Sequence, residues 1–217
     1  MTMMDKLVSA VVDAIHMSGF VEIEVSAKHV HLSQKDAEVL FGKGATLEAV
    51  RPLSQPGQFL SAQRVKLIGP KGTMERVAVL GPVRKDTQVE LSKSDCVALG
   101  VKAPKRESGD IAGSGSITIE GPCGTLEVKE GVIIAHNHIH VTEADSKKLN
   151  LKDKERVAVE VYSERPIIFN DVIIRVSKDF SCRMHIDFDE ANAACVQGFT
   201  LGRIVRKVTG EGIGRIK

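Results

Sequence analysis

The 217-residue chain has no tryptophan, one tyrosine and seven phenylalanines, so aromatic residues make up only 4% of it. That scarcity excludes a base-stacking surface for nucleic acid and leaves no platform for sugars. Charge of one sign is missing as well. The 30 Lys and Arg nearly balance the 28 Asp and Glu, which gives no broad field for a nucleic acid or an anionic membrane and confines any anion site to a local cluster. No stretch approaches the roughly 18 apolar residues of a membrane span. The four cysteines, Cys96, Cys123, Cys182 and Cys195, show neither a C-x-x-C pair nor zinc-finger spacing. They read as reduced thiols of a cytoplasmic protein.

The first residues, MTMMDKLVSAVVDAIHMSG, are interrupted by Asp5, Lys6 and Asp13 and do not form a secretory apolar region. Met4, Leu7, Val8, Val11, Val12 and Ile15 recur at helical spacing, which predicts an amphipathic helix over residues 1–18 that Gly19 ends. Such a helix either packs on its own domain or docks a partner. Beyond it, short β-rich runs separated by Gly and Pro extend from Val21–Val25 to Arg183–Ile186. They predict a mainly β fold with short α-helices, built as barrels or sandwiches. The length suits two domains of about 100 residues each. GPKG at 69–72 and GPCG at 121–124 read as the turns of two related hairpins. Residues 42–63 lack a period and read as a long functional loop, and the Gly- and Ser-rich residues 103–116 as a flexible flap or connector.

The histidines carry the chemistry. Five of the seven lie in or beside two short stretches, VSAKHVHLS and HNHIHVT. HVHLSQKD (29–36) and HIHVTEAD (138–145) share the order His, apolar, His, apolar, hydroxyl, then an acid three positions on; VELSKSD (89–95) and MHIDFDE (184–190) share the second half. In all four, a potential ligand (His31, Glu90, His140, His185) precedes one apolar residue and a helix-capping type (Ser33, Ser92, Thr142, Asp187). The cap accepts from free first-turn N–H groups and the acid complements the positive helix start, so each ligand sits at the end of a strand that runs into a helix. Residues i and i+2 of a strand share a face, so His29 projects with His31 and His138 with His140. Each half of the chain then offers three ligands: His29, His31 and Glu90, and His138, His140 and His185. One H-x-H alone is the pattern of an ordinary strand surface. Two in the same context, each with a third ligand, point to metal. Three N or O ligands with an open position suit catalytic Zn²⁺, and the same sets accept Co²⁺, Ni²⁺, Fe²⁺ or Mn²⁺. His136, two residues before His138 on the same face, could stand in as a ligand but is not one of the six; His16 has no such context. Arg84, in the turn before Glu90, would suit bidentate phosphate binding.

These residues resemble the PduL-type phosphate acyltransferases (phosphotransacylases) of bacterial microcompartments. The resemblance rests on VSAKHVHLS, QPGQ, GPKG, LGPVRKDTQVE, HIHVTEAD, FNDVIIRVS and MHIDFDEANAA, in order from Val21 to Ala194. It implies two pseudo-symmetric β-barrels capped by helices and related by internal duplication. One would comprise residues 19–27 plus 136–217 and the other residues 28–135, with the N-terminal helix (1–18) as an encapsulation peptide that targets shell or core proteins. It implies reversible transfer of a short acyl group, propanoyl or acetyl, between coenzyme A and phosphate, in a cytoplasmic homodimer inside a microcompartment. It further implies two Zn²⁺ per subunit, held between the barrels by His29, His31 and Glu90 and by His138, His140 and His185. Arg84 would bind phosphate, and Val25, Ser26 and Asn192 would lie near coenzyme A. Two departures stand out: Ala27-Lys28 replaces Asn-Arg before the first H-x-H, and Asn137 replaces Arg before the second. They leave Arg84 as the main phosphate residue. Two rival readings fit the same histidines: a two-metal hydrolase of an ester or phosphate, and a non-catalytic metal-binding barrel.

Overall fold

The computed structural model describes residues 2–207. Residues 208–217, which the sequence assigns to the second-half barrel, and the side chain of His16 lie outside the described residues. Helix α1 (Met3–Met17) opens the chain. Thr2 and Asp5 cap it reciprocally, the Asp5 amide donating to Thr2 Oγ1 at 3.1 Å and the Thr2 amide to Asp5 Oδ2 at 2.7 Å. Strand β1 (Phe20–Ser26) follows. Strand β2 (His29–Ser33) enters α2 (Gln34–Phe41), and β3 (Ala49–Pro52), β4 (Phe59–Ile68), β5 (Thr73–Arg84) and β6 (Gln88–Glu90) lead to α3 (Lys93–Leu99). After β7 (Lys105–Arg106), β8 (Gly115–Glu120) and β9 (Thr125–Ala135), strand β10 (His138–Val141) enters α4 (Glu143–Lys148). The chain continues through β11 (Arg156–Tyr162), β12 (Ile168–Val176), β13 (Arg183–Asp187), α5 (Phe188–Ala193) and β14 (Thr200–Lys207).

The chain divides into two compact units. Unit 1 holds the residues up to Val25, Asn137–Ile186 and those from Glu190 on; unit 2 holds Ser26–His136 with Asp187–Asp189. In unit 1 the strands close a barrel in the order β1-β13-β10-β12-β11-β14. In β13 the alternation is clean: Met184 and Ile186 turn into the core while Arg183, His185 and Asp187 face outward. In unit 2 the six strands β4-β5-β2-β6-β9-β8 close a ring, because β8 pairs with both β4 and β9; β3 and β7 flank it. Val30 and Leu32 of β2 are fully buried in its core, each contributing about 1.5–3 kcal/mol relative to an exposed side chain.

Strand for strand, the two barrels have the same plan. In each, the H-x-H strand runs parallel to one neighbour (β5 for β2, β12 for β10) and antiparallel to the other (β6, β13). The difference lies in connectivity. In unit 2 the sixth strand is β9, at the end of its stretch; in unit 1 that place is taken by β1, from the N-terminus. Thus β1 precedes β2 in the chain as β9 precedes β10.

Both GPxG segments are hairpin turns, between β4 and β5 and between β8 and β9, closed by the Gly69 amide on the Gly72 carbonyl and the Gly121 amide on the Gly124 carbonyl at 2.9 Å each. Each turn lies on the end of a helix: the Lys71 amide bonds the Leu99 carbonyl and the Cys123 amide the Leu40 carbonyl, both at 3.0 Å. A Cβ on Gly69 would stand 2.2 Å from the Leu99 oxygen and one on Gly121 2.4 Å from the Leu40 oxygen, which is why glycine occupies both places.

Three readings are corrected. Residues 42–63 are not one loop: β3 and the start of β4 pair there, Ala49 opposite Ser61 and Arg51 opposite Leu60. The outer strand is exposed along its length and irregular in register, so no alternation marks it. Residues 103–116 contain β7, paired in parallel with the end of β9, and are held rather than free. Arg84 is the last residue of β5, not part of the following turn.

Candidate active site

The strand-to-helix junctions put the ligand-type side chains in place. Ser33, Ser92 and Thr142 each accept from the amide three residues on, those of Asp36, Asp95 and Asp145, at 3.0–3.2 Å. Asp95 completes a capping box with the Ser92 amide. Thr87, between β5 and β6, ties the first junction together: its hydroxyl accepts from the Ser33 amide at 2.9 Å and donates to Asp36 at 2.5 Å. The residue before each H-x-H holds the third-position acid of the helix that follows the partner ligand strand. Lys28 pairs with Asp95 at 3.0 Å, and the Asn137 amide donates to Glu190 at 2.8 Å. Lys28 and Asn137 therefore take part in internal contacts.

In unit 2, His29 stands opposite Glu90 and His31 opposite Gln88 across the β2–β6 ladder. Their inter-strand neighbours Val30 and Val89 point into the core, leaving the polar side chains together on the outside. One donor atom from each of His29, His31 and Glu90 lies within 4.8 Å of the others, with His29 Nε2 3.5 Å from Glu90 Oε2. This is the arrangement that accommodates a divalent cation. His29 Nδ1 lies 2.7 Å from the Ala27 carbonyl, which aims Nε2 at the cluster. The Glu90 oxygen Oε1 accepts from Gln88 Nε2 at 2.6 Å and from Ser108 Oγ at 2.8 Å. Gln88 is itself held by the Gly109 amide at 2.7 Å, and Arg84 Nη1 donates to Ser108 at 3.1 Å.

The electrostatics fit a cation. Burial opposes the charge on Glu90, but His29, His31, the Ser108 hydrogen bond and Arg84 outweigh it and bring its pKa down to about 2. Burial, followed by the charges of His29 and Arg84, holds His31 well below 6.5, so it is neutral at pH 7. Its Nδ1 is buried without a well-formed hydrogen bond, and the backbone of Leu80 is a contact that favours its protonated form without outweighing burial.

Unit 1 repeats the register: His138 stands opposite His185 and His140 opposite Arg183. The ring centroids are 4.6 Å (His138–His140), 5.2 Å (His138–His185) and 4.8 Å (His140–His185) apart. His140 Nδ1 is buried without a well-formed hydrogen bond, like that of His31. Burial, then His138, His185 and Arg175, depress the His140 pKa to about 2. The donor atoms meet within 4.8 Å in unit 2 alone among the described residues; in unit 1 the rings cluster without that convergence. His136 is buried at the end of β9 in unit 2, its amide bonded to the Arg106 carbonyl at 2.8 Å. Val25 is half-buried and Ser26 partly exposed at the end of β1, and Asn192 is exposed on α5.

Sequence reasoning missed Gln88 and Ser108. Gln88 was open to discovery, since it lies two residues before Glu90 on the same strand face. Ser108 carried no local signal, because a stretch without a period brings it to the cluster.

Two barrels, each with a strand that opens on H-x-H and runs into a helix, fit the class of acyltransferase that the sequence resembles. Residues 22–197 match the family model described as phosphate propanoyltransferase. The chain is 45% identical over 205 residues to the phosphate propanoyltransferase of Clostridioides difficile (strain 630), covering 94% of this chain and 98% of that protein. It is 50% identical over 184 residues to that of Thermotoga maritima, covering 84% and 88%, and 46% identical over 187 residues to that of Listeria monocytogenes, covering 86% and 88%. The chain belongs to the phosphate propanoyltransferase family and is an acyltransferase.

Proposed function

We propose that the protein interconverts a short-chain acyl-CoA plus phosphate with an acyl phosphate plus CoA, by direct attack of phosphate on the thioester. The observation that carries this reading is the Ser108 hydroxyl, which joins Arg84 to Glu90. It links an anion-binding guanidinium to a cation-binding donor set. The relatives' names support propanoyl-CoA as substrate, with acetyl-CoA the shorter alternative.

Two Zn²⁺, one at His29, His31 and Glu90 and one at His138, His140 and His185, would polarise the thioester carbonyl and accept the thiolate. The Ala27 carbonyl orients His29, and Gln88 and Ser108 keep Glu90 ionised and aimed. Arg84 holds phosphate in its planar fork so that one oxygen meets the carbonyl carbon. A C–O bond forms, the C–S bond breaks, and its electron pair leaves with the CoA sulfur. Burial pushes the Cys96 and Cys182 thiols up to about 11, which makes them poor nucleophiles and favours transfer without an acyl-enzyme. Val25, Ser26 and Asn192 would contact CoA; their partial or full exposure supports this.

The protein would act as a cytoplasmic homodimer carried into a microcompartment by α1. Leu7, Val8, Val11, Val12 and Ile15 on that helix are all exposed, which supports a docking role. Removing residues 1–18 should leave turnover intact and abolish encapsulation. The central test is thiol release from acetyl-, propanoyl- and butanoyl-CoA with and without phosphate, run beside elemental analysis. Phosphate-dependent release with about two zinc per chain is expected. Release of free acid without phosphate would instead identify a hydrolase, and no release at all a non-catalytic barrel.

A further inference from the structure

The junctions behind the two H-x-H strands are closed differently. In unit 2 the place three residues before Glu90 holds Thr87, which is 6% exposed. Its hydroxyl meets the start of α2 twice, accepting from the Ser33 amide at 2.9 Å and donating to the Asp36 carboxylate at 2.5 Å. In unit 1 the place three residues before His185 holds Cys182. Burial and then the charge of Asp145 raise that thiol, so Cys182 stands near the acid that corresponds to Asp36. There the Thr142 hydroxyl itself donates to Asp145, at 2.8 Å. The connections differ as well. Only Lys85 and Asp86 separate Arg84 from Thr87, whereas residues 177–181 separate the end of β12 from Cys182. The threonine tie and the short connection thus occur together, in the half that carries Arg84.

Thr87 is also held from behind. A Cβ on Gly131 of β9 would stand 2.9 Å from the Thr87 carbonyl oxygen, so the strand backbone packs directly on it. Arg84 stands opposite Ser33, beyond a shift in the β2–β5 register between His31 and Ser33. The regular ladder therefore does not set its place. Ser33 is the residue whose amide Thr87 holds, and a link of two residues leaves Arg84 little freedom once Thr87 is fixed. From there Arg84 Nη1 reaches Ser108 at 3.1 Å. A planar fork that takes two phosphate oxygens at once depends on where its base stands, and a displacement of about 1 Å can cost on the order of 10²-fold in rate.

We propose that Thr87 is a positioning residue for phosphate: its hydroxyl, locked between Ser33 and Asp36, holds the end of β5 so that Arg84 meets the phosphate oxygens. This rests on the reading of Arg84 as the phosphate residue given above.

The test compares wild type with Thr87→Val, which keeps the shape and removes the hydroxyl, and Thr87→Ser, which restores it, each checked for melting temperature and zinc content. Thr87→Val should raise the KM for phosphate about tenfold and leave the KM for acyl-CoA and the zinc content as in wild type. Thr87→Ser should recover most of that loss. In an Arg84→Gln background Thr87→Val should add less than about twofold, because its effect passes through Arg84. An unchanged KM for phosphate in folded Thr87→Val overturns the proposal, as does an equal rise in the Arg84→Gln background; a lowered melting temperature with unchanged KM values leaves Thr87 a structural role only. If Thr87→Val does not fold, Asp36→Ala carries the test: it removes the acceptor of the hydroxyl and should raise the KM for phosphate but not that for acyl-CoA, and no change overturns the proposal. Calorimetric titration with inorganic phosphate separates this outcome from the functional reading. If wild type binds phosphate but transfers no acyl group, and Thr87→Val binds phosphate about tenfold more weakly, the acyl-transfer reading fails and the positioning role stands. If transfer is seen while Thr87→Val keeps its phosphate affinity, the reverse holds. Wild type that neither transfers an acyl group nor binds phosphate overturns both.

Discussion

Units 1 and 2 have the same strand plan and pairing register, yet they surround their histidines with different charge. Around His31, unit 2 has Leu80, Gln88 and Glu90; at the corresponding positions around His140, unit 1 has Arg175, Arg183 and His185. The backbone ladder sets where these side chains stand, and their identity sets what each site can attract. Unit 2 holds its carboxylate with Gln88 and Ser108. It offers an acid to a cation, where unit 1 offers three imidazoles beside arginine. A duplicated fold can therefore diverge in electrostatics while it keeps one geometry.

Breaking the ligands should separate the halves most strongly. His31→Ala and His140→Ala should each remove one zinc equivalent and lower turnover by about 10³-fold, since metal assistance supplies several kcal/mol. Elemental analysis with a thiol-release assay checks this, and loss of both equivalents from one substitution would show the sites to be interdependent. Ser108→Ala sharpens the comparison, because it touches unit 2 alone. Zinc affinity at that site should fall about 10–100-fold, as for other supporting groups around metals, while the unit 1 site keeps its affinity in competition titrations with a chelator.

Acid should destabilise the zinc-stripped protein through both units. His31 and His140 have folded pKa values below 6.5, so below 6.5 the unfolded chain takes up protons that the folded one refuses, and stability falls with pH. By pH 5 the His140 share of that loss is about 2 kcal/mol. Glu90, depressed from 4.5 to about 2, adds a further loss only as pH falls below about 4.5. Urea melts between pH 7.5 and 4 read the slope; a flat profile above pH 5 would contradict the burial of both imidazoles. The smallest effect belongs to the residues before the H-x-H motifs. Lys28→Ala removes a partly exposed ion pair, worth about 0.2–1 kcal/mol. Asn137→Ala, which leaves Glu190 without that donor, should cost about 1 kcal/mol. Equal melting temperatures for the two variants would show that the two contacts are energetically alike.

Much of the site was legible because it is local. The cap types Ser33, Ser92 and Thr142 mark strand ends, and period two puts His29 with His31 and His138 with His140 on one face. Glu90 and His185 could be paired with them because the chain repeats its own pattern. The strand β3 was not legible, since it is exposed throughout and its pairing shifts register. The same holds for Ser108 and Arg175: nothing near 108 has a period, and Arg175 gains its meaning only from the strand beside it.

By itself the sequence determined the mainly β class, the doubled strand-to-cap elements and the six ligand-type residues, because caps and alternation act over a few positions. Tertiary structure alone decided that Ser108 joins Arg84 to Glu90 and that Arg175 stands beside His140. Those facts depend on which strands pair and in what register. Pairing is fixed by burial and hydrogen bonding between segments far apart in the chain.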